Sequence, residues 1–377
     1  MGDMQAPMPS TDPMLDALQG IVTDRAQRVY VLMDGARFDD LPQILFSAGL
    51  SHRSLYRNVQ DAELVRAGPW LVDPYCLPDP AMNAWGGLPF HDGGAVTHDD
   101  AVAADTDAAV REASLGSGEP ADMSAASGNA DPVKLLDLIT GIAADLPAAV
   151  FWIGDTNLTE PKLWRHLRTL NMVLIPKEYD RQDAPPPVEV EETYEAVMFR
   201  HADGNVLAEV LPVLGAAQFS RVFGPAKTLM FLAPDHPASD GSLIRRAVLP
   251  DDAPPGPAGM LKLSTEQYAE LTNQRVWKNR RFTMDYLRDA APEETAQLSD
   301  EALYQYVTRA EKSGFRIGLE SDYAHGLWAF MLLAFGESIA NNAMITNAIR
   351  QSGDPDKTVE DLMTGLSENA ADGGGGH

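Results

Sequence analysis

Five short apolar runs set the terms on which this chain can fold. Residues 28–33 (RVYVLM) end at Asp34-Gly35, and residues 149–153 (AVFWI) end at Gly154-Asp155; residues 172–175, 196–199 and 228–232 are the other three. Each has the length of a strand and is rich in β-branched, aromatic or other apolar side chains. A strand that is apolar at consecutive positions has two faces to bury, so a sheet built from such strands needs cover on both sides. The intervening segments supply helix starts. Asp12-Pro13 and Asp131-Pro132 each set a capping carboxylate before a proline at the first helical position. Thr159 heads a third helix with Glu160 and Pro161 in its first turn, and Ser264 with Gln267 has the spacing of a capping box.

Beyond a Pro-rich break at residues 250–257 the pattern changes to helix alone, over 264–289, 299–312 and 321–350. In the last of these, Ala324, Leu327, Trp328, Met331, Leu332 and Phe335 follow the spacing of one helical face. Phe330 and Leu333 widen that face, which predicts a helix buried on several sides. The expected fold class is therefore α/β: an N-terminal mixed α/β lobe over 1–259, then a smaller all-helical lobe over 260–372 and a flexible tail at 373–377. Two stretches interrupt the first lobe. Residues 86–130 are rich in Gly, Ala, Ser and Asp, with Arg111 the one basic residue, and read as a disordered acidic insertion. Residues 180–192 read as a Pro- and acid-rich loop.

Charge narrows the partners. Lys and Arg number 29 against 55 Asp and Glu, a formal charge of −26, which repels phosphate backbones and anionic membrane surfaces alike. The acidity reads first as a device for solubility. One cysteine, Cys76, allows neither an internal disulfide nor a multi-thiolate metal site. The first residues lack the basic start and apolar stretch of a secretory signal. The longest apolar run, 327–335, is about half the ~20 residues a bilayer span requires. A cytoplasmic protein is the expectation.

The search for chemistry yields little. Gly116-Ser117-Gly118 lacks the spacing of a nucleophile elbow and lies in the insertion. Cys76 sits among prolines and apolar residues, a setting for an inert thiol. His91 and His98 lie near Asp92, Asp99 and Asp100, but in Gly-rich surroundings that do not preform a metal site. His166 reads as a surface histidine on a helix. The turns at Asp34-Gly35 and Gly154-Asp155 follow strands, yet each has one glycine and a carboxylate where a phosphate would sit. Arg200 either clamps a ligand carboxylate or pairs internally with Asp203 or Asp34; the internal pair is the better reading. No catalytic, cofactor-binding or metal-binding residue is expected, and no enzymatic activity.

A family resemblance adds what the chemistry does not. Tyr30-Val31-Leu32-Met33-Asp34-Gly35-Ala36-Arg37, Ser54-Leu55-Tyr56 and Gly68-Pro69-Trp70-Leu71-Val72 resemble the N-terminal signature of the type VI secretion effector adaptors, also called effector chaperones. Residues 164–167 resemble that family's Leu-rich helix. Phe199-Arg200 with Asp203, Val206-Leu207, Val210-Leu211-Pro212 and Phe223-Gly224-Pro225 resemble its Phe-Arg-x-x-Asp and Gly-Pro block, and residues 316–335 its C-terminal region. The family usually has proline where Gly204 stands, and the insertion here is longer. The resemblance implies a cytoplasmic adaptor that binds a cognate toxin and the C-terminal region of the spike protein (VgrG), without cofactor, nucleic acid or membrane. Partner-binding candidates are Trp70, Trp85, Phe90, Arg200, Trp277 and Tyr286. Two other classes stay open: an immunity protein that neutralises a toxin, and a hydrolase whose site is assembled only in space.

Overall fold

The computed structural model describes residues 13–24, 26–56, 61–78, 131–177 and 194–373. The expected acidic insertion, with Trp85, Phe90, His91, His98 and Ser117, lies outside these residues, as do the 180–192 loop, the Asp12 cap and residues 374–377. Two compact units divide the chain, Met1–Leu271 and Thr272–His377.

The first unit holds a six-stranded sheet. Its strands are β1 (Gln27–Asp34), β2 (Ser51–Ser54), β3 (Pro69–Asp73), β4 (Ala149–Asp155), β7 (Thr228–Leu232) and β8 (Ile244–Val248), in the order β2-β3-β1-β4-β7-β8. Every pairing in it is antiparallel. A smaller sheet joins β5 (Met172–Pro176), β6 (Tyr194–Met198) and β9 (Leu261–Lys262) in the order β6-β5-β9. All five apolar runs contribute strands, but 172–175 and 196–199 pair with each other in this second sheet.

The pleat sends alternate side chains to opposite faces, and each face has its own core. Val29, Val31 and Met33 of β1 with Phe151 and Ile153 of β4 meet the helices Pro13–Thr23, Leu41–Ser47 and Pro132–Ala143. Tyr30, Leu32, Val150 and Trp152 point the other way, towards the helices Glu160–Arg168, Gly204–Val210 and Ala216–Phe223. The sheet is thus buried on both faces, as its consecutive apolar residues require.

Caps are formed largely as the sequence dictates. The Asp131 carboxylate accepts from the Val133 and Lys134 amides, and Ser264 and Gln267 exchange both hydrogen bonds of a capping box. Thr159 precedes its helix without a side-chain capping bond.

The second unit is helical. Helix Thr265–Ala290 contains the boundary between the units, and Asp300–Arg316, Asp322–Phe335, Ala343–Arg350 and Pro355–Gly373 follow. Leu287, Leu303, Val307, Trp328, Met331 and Ile349 are among its core residues. Trp328 is fully buried and its indole N–H donates to Ser313 Oγ at 2.7 Å. The helix expected over 321–350 is two helices. Gly336, at φ 90°, ends the first, a 3-10 turn Glu337–Asn341 follows, and the Asn342 side chain accepts from Met344 and Ile345 amides to start the second.

Candidate functional site

At the end of β1 two buried carboxylates and two part-exposed guanidiniums form an ionic cluster. Asp34 terminates the strand, and its Oδ1 accepts from the Ala36 amide at 3.2 Å, shaping a 3-10 turn, Gly35–Arg37. Gly35 is required there: a Cβ would lie 2.1 Å from the Arg66 carbonyl oxygen and 2.6 Å from that of Gly68. The turn aims Arg37 at Asp203, Nη2 to Oδ2 2.6 Å. Arg200 reaches back to Asp34, Nη2 to Oδ2 2.5 Å, and lies 3.6 Å from Asp203 Oδ2. The other Asp203 oxygen accepts from the Asn205 and Val206 amides and so caps the helix Gly204–Val210. The hydrogen bond it donates to Asp203 holds the Arg37 guanidinium above its usual pKa.

The internal pairing expected of Arg200 is what the structure contains. Opposite charges neutralise one another inside the cluster, and it clasps the turn after β1 to the loop after β6. Gly204 belongs to the same clasp. Its amide donates to the Pro147 carbonyl at 2.8 Å, and a Cβ on it would lie 2.0 Å from the Leu232 carbonyl oxygen. Proline, with a ring and no N–H, could meet neither requirement.

The other expected anchors separate by burial. Trp70 is a correction: it lies on β3, an interior strand, is fully buried, and packs its ring 5.5 Å from His52. It serves the core and offers no surface to a partner. Trp277 and Tyr286 are exposed, on the part of helix Thr265–Ala290 that belongs to the second unit. They have company that the sequence reading missed: Phe282, Phe315, Tyr323 and Phe335. These six rings in the second unit range from 39% exposed (Tyr286) to 65% (Tyr323), whereas Phe46 is the one comparably exposed aromatic among the described residues of the first unit. A signal was present for Phe282, which lies about 160° around the helix from the buried Met284 and about 140° from Leu287; Trp277, seven residues before Met284, gave none.

Groups with chemical potential are otherwise quiet. Burial, reinforced by Asp73, pushes the Cys76 thiol up to about 11, so it is protonated at neutral pH. His166, expected on the surface, packs edge-on against Trp152 and its Nε2 meets the Val222 carbonyl at 2.8 Å. Burial lowers it to about 4. His201, wholly buried, is lowered to about 4 for the same reason, with Nδ1 against the Phe199 carbonyl at 2.9 Å. Both are neutral at pH 7, and those contacts assign each ring its N–H at the bonded nitrogen. Among the described residues no three His, Cys, Asp or Glu converge as metal ligands, and no helix is long and apolar enough to cross a membrane.

Comparison with known proteins reaches one part of the chain. No curated protein and no solved structure matches it. Residues 29–92 match the model of a family described as a domain of unknown function (DUF4123), a stretch that takes in most of β1, the Asp34–Arg37 half of the ionic clasp, β2 and β3.

Proposed function

We propose that this chain is a non-catalytic cytoplasmic adaptor that holds a toxin of the type VI secretion apparatus and helps load it onto the spike protein. The observation that carries the reading is that six aromatic rings of the second unit stand exposed although its core is already filled by other side chains. Large rings kept in water cost solubility and are the residue types that dominate protein–protein hot spots. Support for the particular system comes from the resemblance in residues 30–37, 54–56 and 68–72, which fall within the matched stretch 29–92. The protonated Cys76 and the neutral, buried His166 and His201 fit a chain that makes and breaks no bond.

Co-expression with the toxin encoded beside it tests the proposal. The expected result is a stable complex on size exclusion, and export of the toxin that stops when this chain is deleted. Export unchanged by the deletion, or turnover of a small molecule by the purified chain that one point substitution abolishes, would overturn it.

A further inference from the structure

We propose that a small cavity in the second unit is a binding site for a primary ammonium group. The cavity, of about 20 Å³, lies where Asn279, Arg280 and Thr283 of helix Thr265–Ala290 meet Glu311 of helix Asp300–Arg316 and Asp322 and His325 of helix Asp322–Phe335. That is room for one group the size of a water molecule. His325 points to a guest. It is 8% exposed and lines the cavity, and neither of its ring nitrogens completes a hydrogen bond. Buried polar atoms are seldom left so. The ring is held in place by Gly314, where a Cβ would lie 2.5 Å from Nδ1, and by the exposed Phe315, 4.4 Å away between centroids.

The chemistry of the guest follows from the lone pairs left over. Arg280 spends Nε and Nη2 on Glu311 Oε2, at 2.7 and 2.6 Å, and Nη1 on the Tyr304 hydroxyl at 3.1 Å. The Asn279 amide nitrogen donates to Asp322 Oδ2 at 2.7 Å, and the Thr283 hydroxyl to the Asn279 carbonyl at 3.1 Å. Each carboxylate therefore keeps one oxygen without a donor among the described residues, Glu311 Oε1 and Asp322 Oδ1. Burial lowers the His325 pKa from 6.5, against the pull of Glu311, Asp356 and Asp322, so the ring is neutral at pH 7. The nearby Leu319 carbonyl draws its one N–H and leaves the other nitrogen an acceptor. Three acceptors, with one carboxylate charge beyond what Arg280 balances, suit a cation made only of donors. A primary ammonium has three N–H groups and no lone pair. A metal ion would need ligands at about 2.0–2.6 Å, and these groups do not converge so closely. Hydrogen bonds from an ammonium, at about 2.7–2.9 Å, ask less of them. Asp322 is exposed, and the guest enters beside it.

The site does not depend on the adaptor reading, and the failure of either leaves the other standing. Its test is a titration of the full chain with methylammonium chloride, followed by the carbon–proton signal of the His325 ring, which its loss in H325Q assigns. The signal should shift saturably, and D322N should weaken binding about tenfold. An unmoved Trp328 indole N–H signal in D322N shows that the second unit is still folded, since that group is buried on Ser313. Potassium chloride and tetramethylammonium chloride at the same ionic strength should leave the ring signal in place, because neither cation donates a hydrogen bond. Acetyl-lysine amide binding more tightly than methylammonium would assign the site to a lysine of a bound polypeptide, and the reverse order to a free amine; both outcomes support it. No saturable shift, an equal shift with potassium or tetramethylammonium, or undiminished binding in D322N would each overturn the proposal and leave the cavity to water.

Discussion

Asp203 does two jobs with its two oxygens, and the consequences of removing it differ from those of removing either arginine. Asp203→Ala deletes a helix cap and strips Arg37 of its partner, so a loss of about 2–3 kcal/mol is expected in urea unfolding. Arg37→Met should cost less, about 1 kcal/mol, because that guanidinium is part-exposed and water replaces much of what it loses. Gly204→Ala belongs to another class. Its conformation is ordinary, but the added methyl meets a backbone carbonyl that cannot swing aside, and a loss of about 3 kcal/mol or more is expected. The internal pairing of Arg200 with Asp203 or Asp34 was legible in the sequence; Arg37 as the fourth member of the clasp was not. Which aspartate each arginine takes was not, because 166 residues separate the partners in both close pairs and only folding brings the two loops together.

Among the elements, legibility followed apolar runs rather than burial itself. The run at 196–199 marked β6, an edge strand of the small sheet with no fully buried residue, while β3 (PWLVD), interior and buried at its centre, was not among the five runs. The strands β2 (SHRS) and β8 (IRRAV) escaped notice because they are the two edges of the large sheet. An edge strand gains by carrying charge, which deters further pairing, and so loses the hydrophobic signature of a strand. Its existence is fixed by the backbone ladder of the strand beside it. A similar point explains the divided helix of the second unit: apolar spacing continues past Phe335, but Gly336 leaves the helical region. Its φ of 90° favours glycine, and a Cβ there meets nothing nearer than Ser338 Oγ at 3.8 Å. With ψ at 148° the residue lies in a region essentially confined to glycine, so Gly336→Ala should cost about 2–3 kcal/mol through backbone strain alone, and Gly336→Asn no less. Differential scanning calorimetry of both variants checks this.

For the molecule as a whole, acid is the informative stress. His166 and His201 are held at about 4 in the folded chain, below the usual 6.5, so between these values the unfolded chain binds protons that the folded one refuses. Their contribution is intact above pH 6.5 and is lost as pH falls from 6.5 to 4, of order 3 kcal/mol for each histidine, less if the two protonate together. Neutralising the surplus of carboxylates relieves self-repulsion over a similar range, but that term is diffuse and screened, so the histidines should dominate in 0.15 M salt. Unfolding of the first unit, followed by the fluorescence of Trp70, Trp152 and Trp164, should show falling stability across that window, and His201→Leu should flatten the slope. An unchanged slope would mean that His201 is not the group responsible.

By itself the sequence determined the class of fold: strand-length runs apolar at consecutive positions must be covered on both faces, and helical spacing after the Pro-rich break must make helices. These are local consequences of side-chain size, polarity and period. Tertiary structure alone decided which aromatic rings face water. Trp70 and Trp277 are chemically the same side chain; one lies on a strand flanked by two others and is sealed in the core, while the other lies on a helical face that its own unit leaves uncovered. Burial is a property of what packs against a residue, and that is settled only when distant parts of the chain have met.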